Sequence, residues 1–337
     1  MNNLKFDVVS GETITALLAD SYREIMRIVR ETYLLHEEGI TNNPDSYFLR
    51  FNDKPEARII ALPAARRGVD AVAGIKWIAS YPKNLEKNIQ RASAIIALND
   101  YETGYPFALL EASQISAFRT AASAVLAANT LKNDRKVARK IAFIGTGVIA
   151  RKIADFFRAE HWRIDQVVAH DITLPDAEKF ARYITGAHGY QATAVNSLTA
   201  AMDEAEIIVL ATNAGTPYIT APDAIKNNQI VLNISLRDIG PEIILRSVNV
   251  FDDVEHCMKA NTSPHLAEQI SGGRDFVDGT LAGLMNSKFQ LRENRPIIFS
   301  PFGLGVLDLA VAAYLHQRAT HEGLCHSIPG FFPDMAR

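Results

Sequence analysis

The sequence is poor in cysteine: Cys257 and Cys325 are the only two in 337 residues. They have neither metal-type spacing nor the makings of a disulfide framework, and they read as idle thiols of a chain kept in a reducing cytosol. Long apolar runs are missing too, so no segment reads as a bilayer span, and no basic-apolar signal stands at the N-terminus. The expected location is therefore cytoplasmic. No excess of either charge exists: the net charge is −3, which gives nothing global to attract nucleic acid or a membrane surface. Internal repeats and low-complexity tracts are absent. His265, His316, His321 and His326 lack the spacing of a ligand set, and no metal site is expected.

What is present is a composition of 48% hydrophobic and 22% charged residues, that of a soluble globular protein long enough for two cores. The organising stretch runs from Arg139 to Asp171. An apolar run, Ile141 to Ile144, feeds into Gly145-Thr146-Gly147-Val148-Ile149-Ala150, and after a helical segment a second β-branched run, Val167 and Val168, ends in Asp171. This is the order of a dinucleotide-binding βαβ unit. Gly145 supplies the tight turn and Gly147 lets backbone approach a pyrophosphate. Small Ala150 lets the helix pack near the strand, and the N–H groups of Thr146, Val148 and Ile149 open toward the phosphates. Asp171 stands where a carboxylate accepts from the adenine-ribose 2′-OH and repels a 2′-phosphate. No arginine follows it, only Ile172 and Thr173, so NAD is the expected cofactor.

The fingerprint lies so far into the chain that a sizeable domain must precede it. Strand-like Phe6 to Val9 is followed by a capping box, Ser21-Tyr22-Arg23-Glu24, ahead of a helix ending near Gly39. Extended runs come next: Ser46 to Phe51, Ala57 to Leu62, Ala71 to Ser80, Ala94 to Asn99 and Pro106 to Glu111, whose short intervals favour antiparallel pairing. An alanine-rich helix from Gln114 to about Leu131 carries Arg119 and Thr120, and basic Lys132 to Lys140 is the expected inter-domain crossing, a solvated face without a ligand.

Beyond the fingerprint, helices over Leu174 to His188 and Ser197 to Asp203 alternate with strands over Gln191 to Val195, Glu206 to Ala211, Ile230 to Ile234, Asn249 to Asp252 and Pro296 to Ser300. Such alternation predicts a parallel, doubly wound sheet, whose ligands bind beyond the carboxyl ends of the strands. Thr212, Asn213, Ser235 and Asp238 fall there. Gly303, at the turn into the apolar helix Val306 to Leu315, is placed with the cofactor residues, and that helix is expected to return to the first domain.

The expected fold class is thus α/β. A Rossmann doubly wound sheet over 131–302 binds NAD, and an N-terminal α+β domain with an antiparallel sheet, 1–130 joined by the C-terminal helix 303–337, serves substrate binding and dimerisation.

Several ordered motifs sharpen this reading. Gly74-Ile75-Lys76-Trp77-Ile78, Tyr81-Pro82-Lys83-Asn84, Thr103-Gly104-Tyr105-Pro106, Arg119-Thr120-Ala121-Ala122 and the mid-chain fingerprint together resemble the ornithine cyclodeaminase/mu-crystallin family over nearly the whole chain. Within that family, Tyr47-Phe48-Leu49-Arg50-Phe51, Arg58 to Ala64 and Asn233-Ile234-Ser235-Leu236-Arg237-Asp238 are most similar to the dehydrogenases that form L-2,3-diaminopropionate in siderophore and antibiotic pathways. The resemblance implies NAD-dependent oxidation of N-(1-amino-1-carboxy-2-ethyl)-glutamate, hydrolysis of the imine to 2-oxoglutarate and L-2,3-diaminopropionate, and a homodimer joined through the N-terminal domain. It also implies that Arg50, Lys76 and Arg119 hold carboxylates of an amino-acid substrate with three of them, a task suited to arginine's planar fork. Thr120 is implied at a cofactor phosphate.

Lys76 is also a candidate proton carrier, if neighbouring Arg50 and Arg119 lower its pKa. Arg58 and Arg66 are read as solvated. Asp238 is the candidate to activate water, although Asp238-Ile239-Gly240-Pro241-Glu242 departs from the cyclodeaminase acid loop, in which the acid precedes Pro-Gly-Lys. Two other readings stay open: an ornithine cyclodeaminase or related amino-acid or imine dehydrogenase, and a non-catalytic nicotinamide-binding protein of mu-crystallin type. The second favours the phosphorylated cofactor, against Asp171.

Overall fold

A computed structural model describes residues 4–333. The chain forms two compact units, one comprising residues up to Arg119 with those from Leu304 onward, the other Thr120–Gly303. The helix Ser113–Leu131 carries the chain from one into the other.

The first unit is built on an eight-stranded sheet. Asp7–Val9, Pro106–Glu111, Ala92–Asp100, Val72–Ser80 and Lys54–Arg66 lie side by side, with Thr41–Asn42 and Tyr47–Phe51 sharing the outer edge of Lys54–Arg66 and His326–Ser327 closing the other end. Pairing is antiparallel throughout except between Asp7–Val9 and Pro106–Glu111, which run parallel. The strand expected to stop at Leu62 continues to Arg66. Pro63 falls opposite the break between the two edge strands, which pair with Ala61 and Ala65 on either side of it, so no edge partner is deprived of its missing N–H.

Helix Gly305–His321 is apolar nearly all round and packs across Lys54–Arg66, Val72–Ser80 and Ala92–Asp100 as well as against helix Tyr22–Glu37. Two details differ from the sequence reading. A helix over Gly11–Leu18, capped by Ser10, precedes the expected one. Ser21 does begin Tyr22–Glu37, but its hydroxyl donates to the Leu17 carbonyl rather than capping, and Glu24 binds Arg27. The tail of the preceding helix satisfies Ser21 first.

The second unit is an eight-stranded parallel sheet in the order Gln191–Ala194, Arg163–His170, Val137–Ile144, Ile207–Leu210, Ile230–Asn233, Ile297–Ser300, Val248–Phe251, Val277–Thr280. Strand Val137–Ile144 has Arg163–His170 on one side and Ile207–Leu210 on the other, so the winding reverses there and opens the crevice in which doubly wound sheets bind ligands. Helices Val148–Ala159 and Leu174–His188 bury Phe156, Phe157 and Phe180 around Phe143 and Trp162. The basic stretch expected to be a solvated crossing is partly strand, since Val137–Ile144 begins inside it. Three of its five cations are ion-paired: Lys132 and Arg139 hold Glu206, and Lys136 holds Glu160. Burial opposes ionisation of Glu206, yet those two partners bring its carboxyl down to about 2. No helix among the described residues is long and apolar enough to cross a membrane.

Candidate active site

In the first unit, strand Val72–Ser80 turns Lys76 to the face covered by Gly305–His321. A lysine is seldom buried without a partner, and Lys76, 2% exposed, has one: its Nζ lies 2.6 Å from Oδ2 of the fully buried Asp308. Arg119 Nε donates to the other oxygen of that carboxylate at 3.0 Å, and Lys76 also reaches Ser116 Oγ at 3.3 Å. Two buried cations therefore share one carboxylate, leaving an excess of positive charge among them. Burial, the largest influence, lowers the Lys76 pKa to about 8, with Asp308 raising it and Arg119 lowering it further.

Arg119 is thus brought to Lys76, as the sequence reading requires. Arg50 is not one of the charges acting on Lys76. It lies exposed on strand Tyr47–Phe51, its guanidinium 5.1 Å from the Phe48 ring centre and its Cα opposite Arg58. Asp308 escaped the sequence reading. The available signal was a lone acid inside an apolar helix, the same signal that exposed Lys76 and Arg119.

In the second unit the glycine turn has the predicted form. Gly145 has φ +84°, and a Cβ there would stand 2.6 Å from the Ala211 carbonyl oxygen, so only glycine fits. Gly147 caps Val148–Ala159 with extended backbone, and nothing lies within 4 Å of where its Cβ would be. That open space before a helix N-terminus suits a pyrophosphate. Exposed Val148 and half-buried Ile149 begin the helix, and buried Ala150 packs it on the sheet. Asp171, just past Arg163–His170, accepts from the backbone N–H of Thr146 at 2.8 Å and its hydroxyl at 2.7 Å, with one oxygen turned to Thr173 N–H at 3.4 Å. The loop and the acid are thereby locked together. The residues fit a dinucleotide with an unphosphorylated ribose.

Asp238 follows strand Ile230–Asn233 and is fully buried. Its carboxylate accepts from Thr212 Oγ1 at 2.8 and 3.0 Å and from the Tyr218 hydroxyl at 3.1 Å. Burial raises its pKa above the ordinary aspartate value, while the Ser235, Thr212 and Tyr218 hydroxyls pull the other way. Two residues before it, Leu236 adopts φ +74°, a conformation costly for a branched side chain. Tyr218, the residue missed here, sits in an irregular segment with no periodic signal.

Other expected cofactor residues are placed as follows. Thr212 and Ser235 point to Asp238 or the Leu210 carbonyl, and Asn213 is exposed. The Gly303 N–H is taken by buried Asp252 at 2.7 Å, so it is not offered to a ligand. Thr120 lies half-buried within Ser113–Leu131. Among the described residues one group has metal-type donors close together, Asp7, His316 and Cys325. Its Asp7 oxygens are already engaged by His316 at 3.0 Å and by Ser327.

Residues 11–323 match the ornithine cyclodeaminase/mu-crystallin family. The chain is 30% identical over 273 residues to the N-((2S)-2-amino-2-carboxyethyl)-L-glutamate dehydrogenase of Staphylococcus aureus, covering 79% of this chain and 80% of that one. It is 29% identical to the Delta(1)-pyrroline-2-carboxylate reductase of Bacillus cereus, covering 80% and 84%. An archaeal alanine dehydrogenase dimer with bound NAD superposes with a TM-score of 0.85 at 25% identity, over 97% of this chain and 100% of that one. The fold, the glycine turn and the match over 11–323 agree: the chain belongs to the ornithine cyclodeaminase/mu-crystallin family.

Proposed function

We propose that this protein is the NAD-dependent enzyme that oxidises N-(1-amino-1-carboxy-2-ethyl)-glutamate and hydrolyses the product imine to 2-oxoglutarate and L-2,3-diaminopropionate, as a supply step for siderophore or antibiotic assembly. The observation that carries this reading is the pair of buried cations, Lys76 and Arg119, on the single carboxylate of Asp308. Surplus buried positive charge calls for an anionic partner, here the substrate. The likeness to the Staphylococcus aureus enzyme supports the choice of anion.

Bound NAD, held by the Gly145–Ile149 turn and Asp171, supplies the hydride acceptor for the glutamate α-carbon. The chain's own residues do the rest. Lys76 and Arg119 fix the neighbouring carboxylate and so orient the C–H bond. Asp238, oriented by Thr212 and Tyr218, accepts a proton from water as it adds to the imine carbon, and the carbinolamine C–N bond then breaks to release the amine. Per turnover one NAD and one water are consumed, and one NADH, one proton, one 2-oxoglutarate and one diaminopropionate are formed.

A second reading, oxidation or reduction of a substrate with one carboxylate, has support from the reductase and alanine dehydrogenase likenesses. Offering the glutamate adduct, L-ornithine, L-alanine and L-proline with NAD and following NADH absorbance separates them. Turnover of the adduct far above the others supports the proposal; turnover of a mono-carboxylate alone contradicts it.

The enzyme works as a homodimer in the cytoplasm on this reading. Tyr47, Ala61, Trp77 and Ile95 stand in one row across four strands. Three are unusually exposed apolar residues, Tyr47 at 74%, Trp77 at 39% and Ile95 at 43%, and such a patch needs a cover. A second copy provides it, and Trp77→Arg is expected to sediment as a monomer where the wild type sediments as a dimer. The unpaired cysteines Cys257 and Cys325 fit a reducing compartment.

A further inference from the structure

The opposite face of the same sheet carries a second row. Arg50 pairs in register with Arg58, Arg58 with Ser80, and Ser80 with Ala92, next to Arg91. Arg91 turns back across the strands so that its Nη1 donates to Ser80 Oγ at 3.3 Å. Arg50 and Arg58 thus face each other in register, and Arg91, just before the strand that pairs with Ser80, joins them at one end of the sheet. Arg58 and Arg91 are half-buried, contrary to the solvated role read for Arg58 from sequence.

Among the described residues no carboxylate pairs with any of the three. The nearby acids are already engaged, Glu56 by Lys83 at 2.8 Å and Asp53 by Lys54 at 2.8 Å. Burial and then the Arg50 charge lower the pKa of Arg58, and burial and then the Arg58 charge lower that of Arg91, so each feels the next along the row. Like charges gathered without an acid repel one another and raise the free energy of the fold. An anionic ligand laid among them removes that cost and gains fork-type hydrogen bonds.

The row belongs to the same sheet face as Lys76. Strand Val72–Ser80 carries both Lys76 and Ser80, four residues and about 13 Å apart along the strand. Lys76 and Arg119 share one counter-ion, and a substrate with three carboxylates needs more cations than those two.

We propose that Arg58 and Arg91, with Ser80 positioning Arg91, form a distal carboxylate subsite that selects substrates bearing a second acid group remote from the reacting carbon. This inference rests on the proposed function for the identity of the substrate. Arg58 and Arg91 are specificity residues of that site. On this proposal they supply the cations that a tricarboxylate needs beyond Lys76 and Arg119.

The test is equilibrium binding to the protein saturated with NADH, read by NADH fluorescence, of 2-oxoglutarate and of 2-oxopentanoate, which lacks the distal carboxylate. The wild type is expected to prefer 2-oxoglutarate by about tenfold or more, because it alone offers the arginines a charged acceptor. Arg58→Gln and Arg91→Gln are each expected to shrink that ratio toward unity, and Arg58→Lys to restore part of it. A circular dichroism melt of each variant checks that it is folded, and the Arg58→Lys comparison remains available if a glutamine variant is not. A ratio unchanged in both glutamine variants, or inorganic phosphate displacing 2-oxoglutarate from wild type and Arg58→Gln equally, overturns the subsite. Failure of the proposed function has a different signature, no NADH from the glutamate adduct whatever the binding ratio.

Discussion

The Lys76 ammonium and the Asp308 carboxylate, 232 positions apart in the chain, form a buried ion pair 2.6 Å long, and Arg119 completes it from the other side. Removing the charge while keeping the shape, in Asp308→Asn, leaves two buried cations uncompensated. Breaking a buried pair in this way costs about 3–5 kcal/mol. Urea unfolding is expected to show the midpoint falling with an unchanged slope. A midpoint within error of wild type contradicts a buried pair.

Burial brings the Lys76 pKa down to about 8. Its ammonium is present below about pH 8 and lost above, so kcat/KM is full below that value and falls on the basic side with an apparent pKa near 8. Stability moves the other way. The folded value lies below the unfolded value of about 10.4, so between the two the unfolded chain binds more protons and the Lys76 contribution rises with pH. Lys76→Met is expected to lose both the basic limb of its residual kcat/KM and the alkaline rise in stability. Persistence of the limb in that variant removes Lys76 from the proton account.

Gly145 and Gly147 are separable by substitution. Gly145→Ala must hold a left-handed backbone, worth about 1–2 kcal/mol, and drive a methyl group against the Ala211 carbonyl, so its melting temperature falls. Gly147→Ala meets nothing within 4 Å and is expected to melt as wild type does. Its methyl group fills the space kept for phosphate, and NADH titration should show affinity reduced by about tenfold or more. A Gly147→Ala protein that binds NADH normally places the pyrophosphate elsewhere.

Asp238 has to be ionised to accept a proton. Because burial holds its pKa above the usual carboxylate range, the activity it supports is present above that raised value and lost as pH falls through it. Asp238→Asn is expected to lower kcat by about 10²–10⁴-fold, the usual worth of a general base, and to abolish the acid limb. Equal kcat in the two proteins assigns the water to another group.

The parts of this site that the sequence made legible are local. A strand, a glycine turn, a helix and an acid within one βαβ unit leave a contiguous trace, so Gly145, Gly147 and Asp171 could be placed by inspection. Lys76 and Arg119 stood out as lone charges in apolar stretches. Asp308 carried the same mark, but its partners lie far away in sequence and only the packing of Gly305–His321 on the sheet brings them together. Arg50 was expected beside Lys76, whereas strand register sets it level with Arg58 and Ser80, four residues along. Register also gives Arg58 and Arg91 their joint meaning, since neither residue is unusual alone. Tyr218 had no trace, because irregular segments have no period to read.

In the proposed reaction hydride leaves the glutamate α-carbon of the adduct for NAD. This transfer is tested most directly with N-(1-amino-1-carboxy-2-ethyl)-glutamate carrying deuterium at that carbon, followed by mass spectrometry of the dinucleotide and quantitation of the products. NADH bearing one deuterium is expected, formed in equal amounts with 2-oxoglutarate and L-2,3-diaminopropionate. Unlabelled NADH, or no NADH at all, would contradict it.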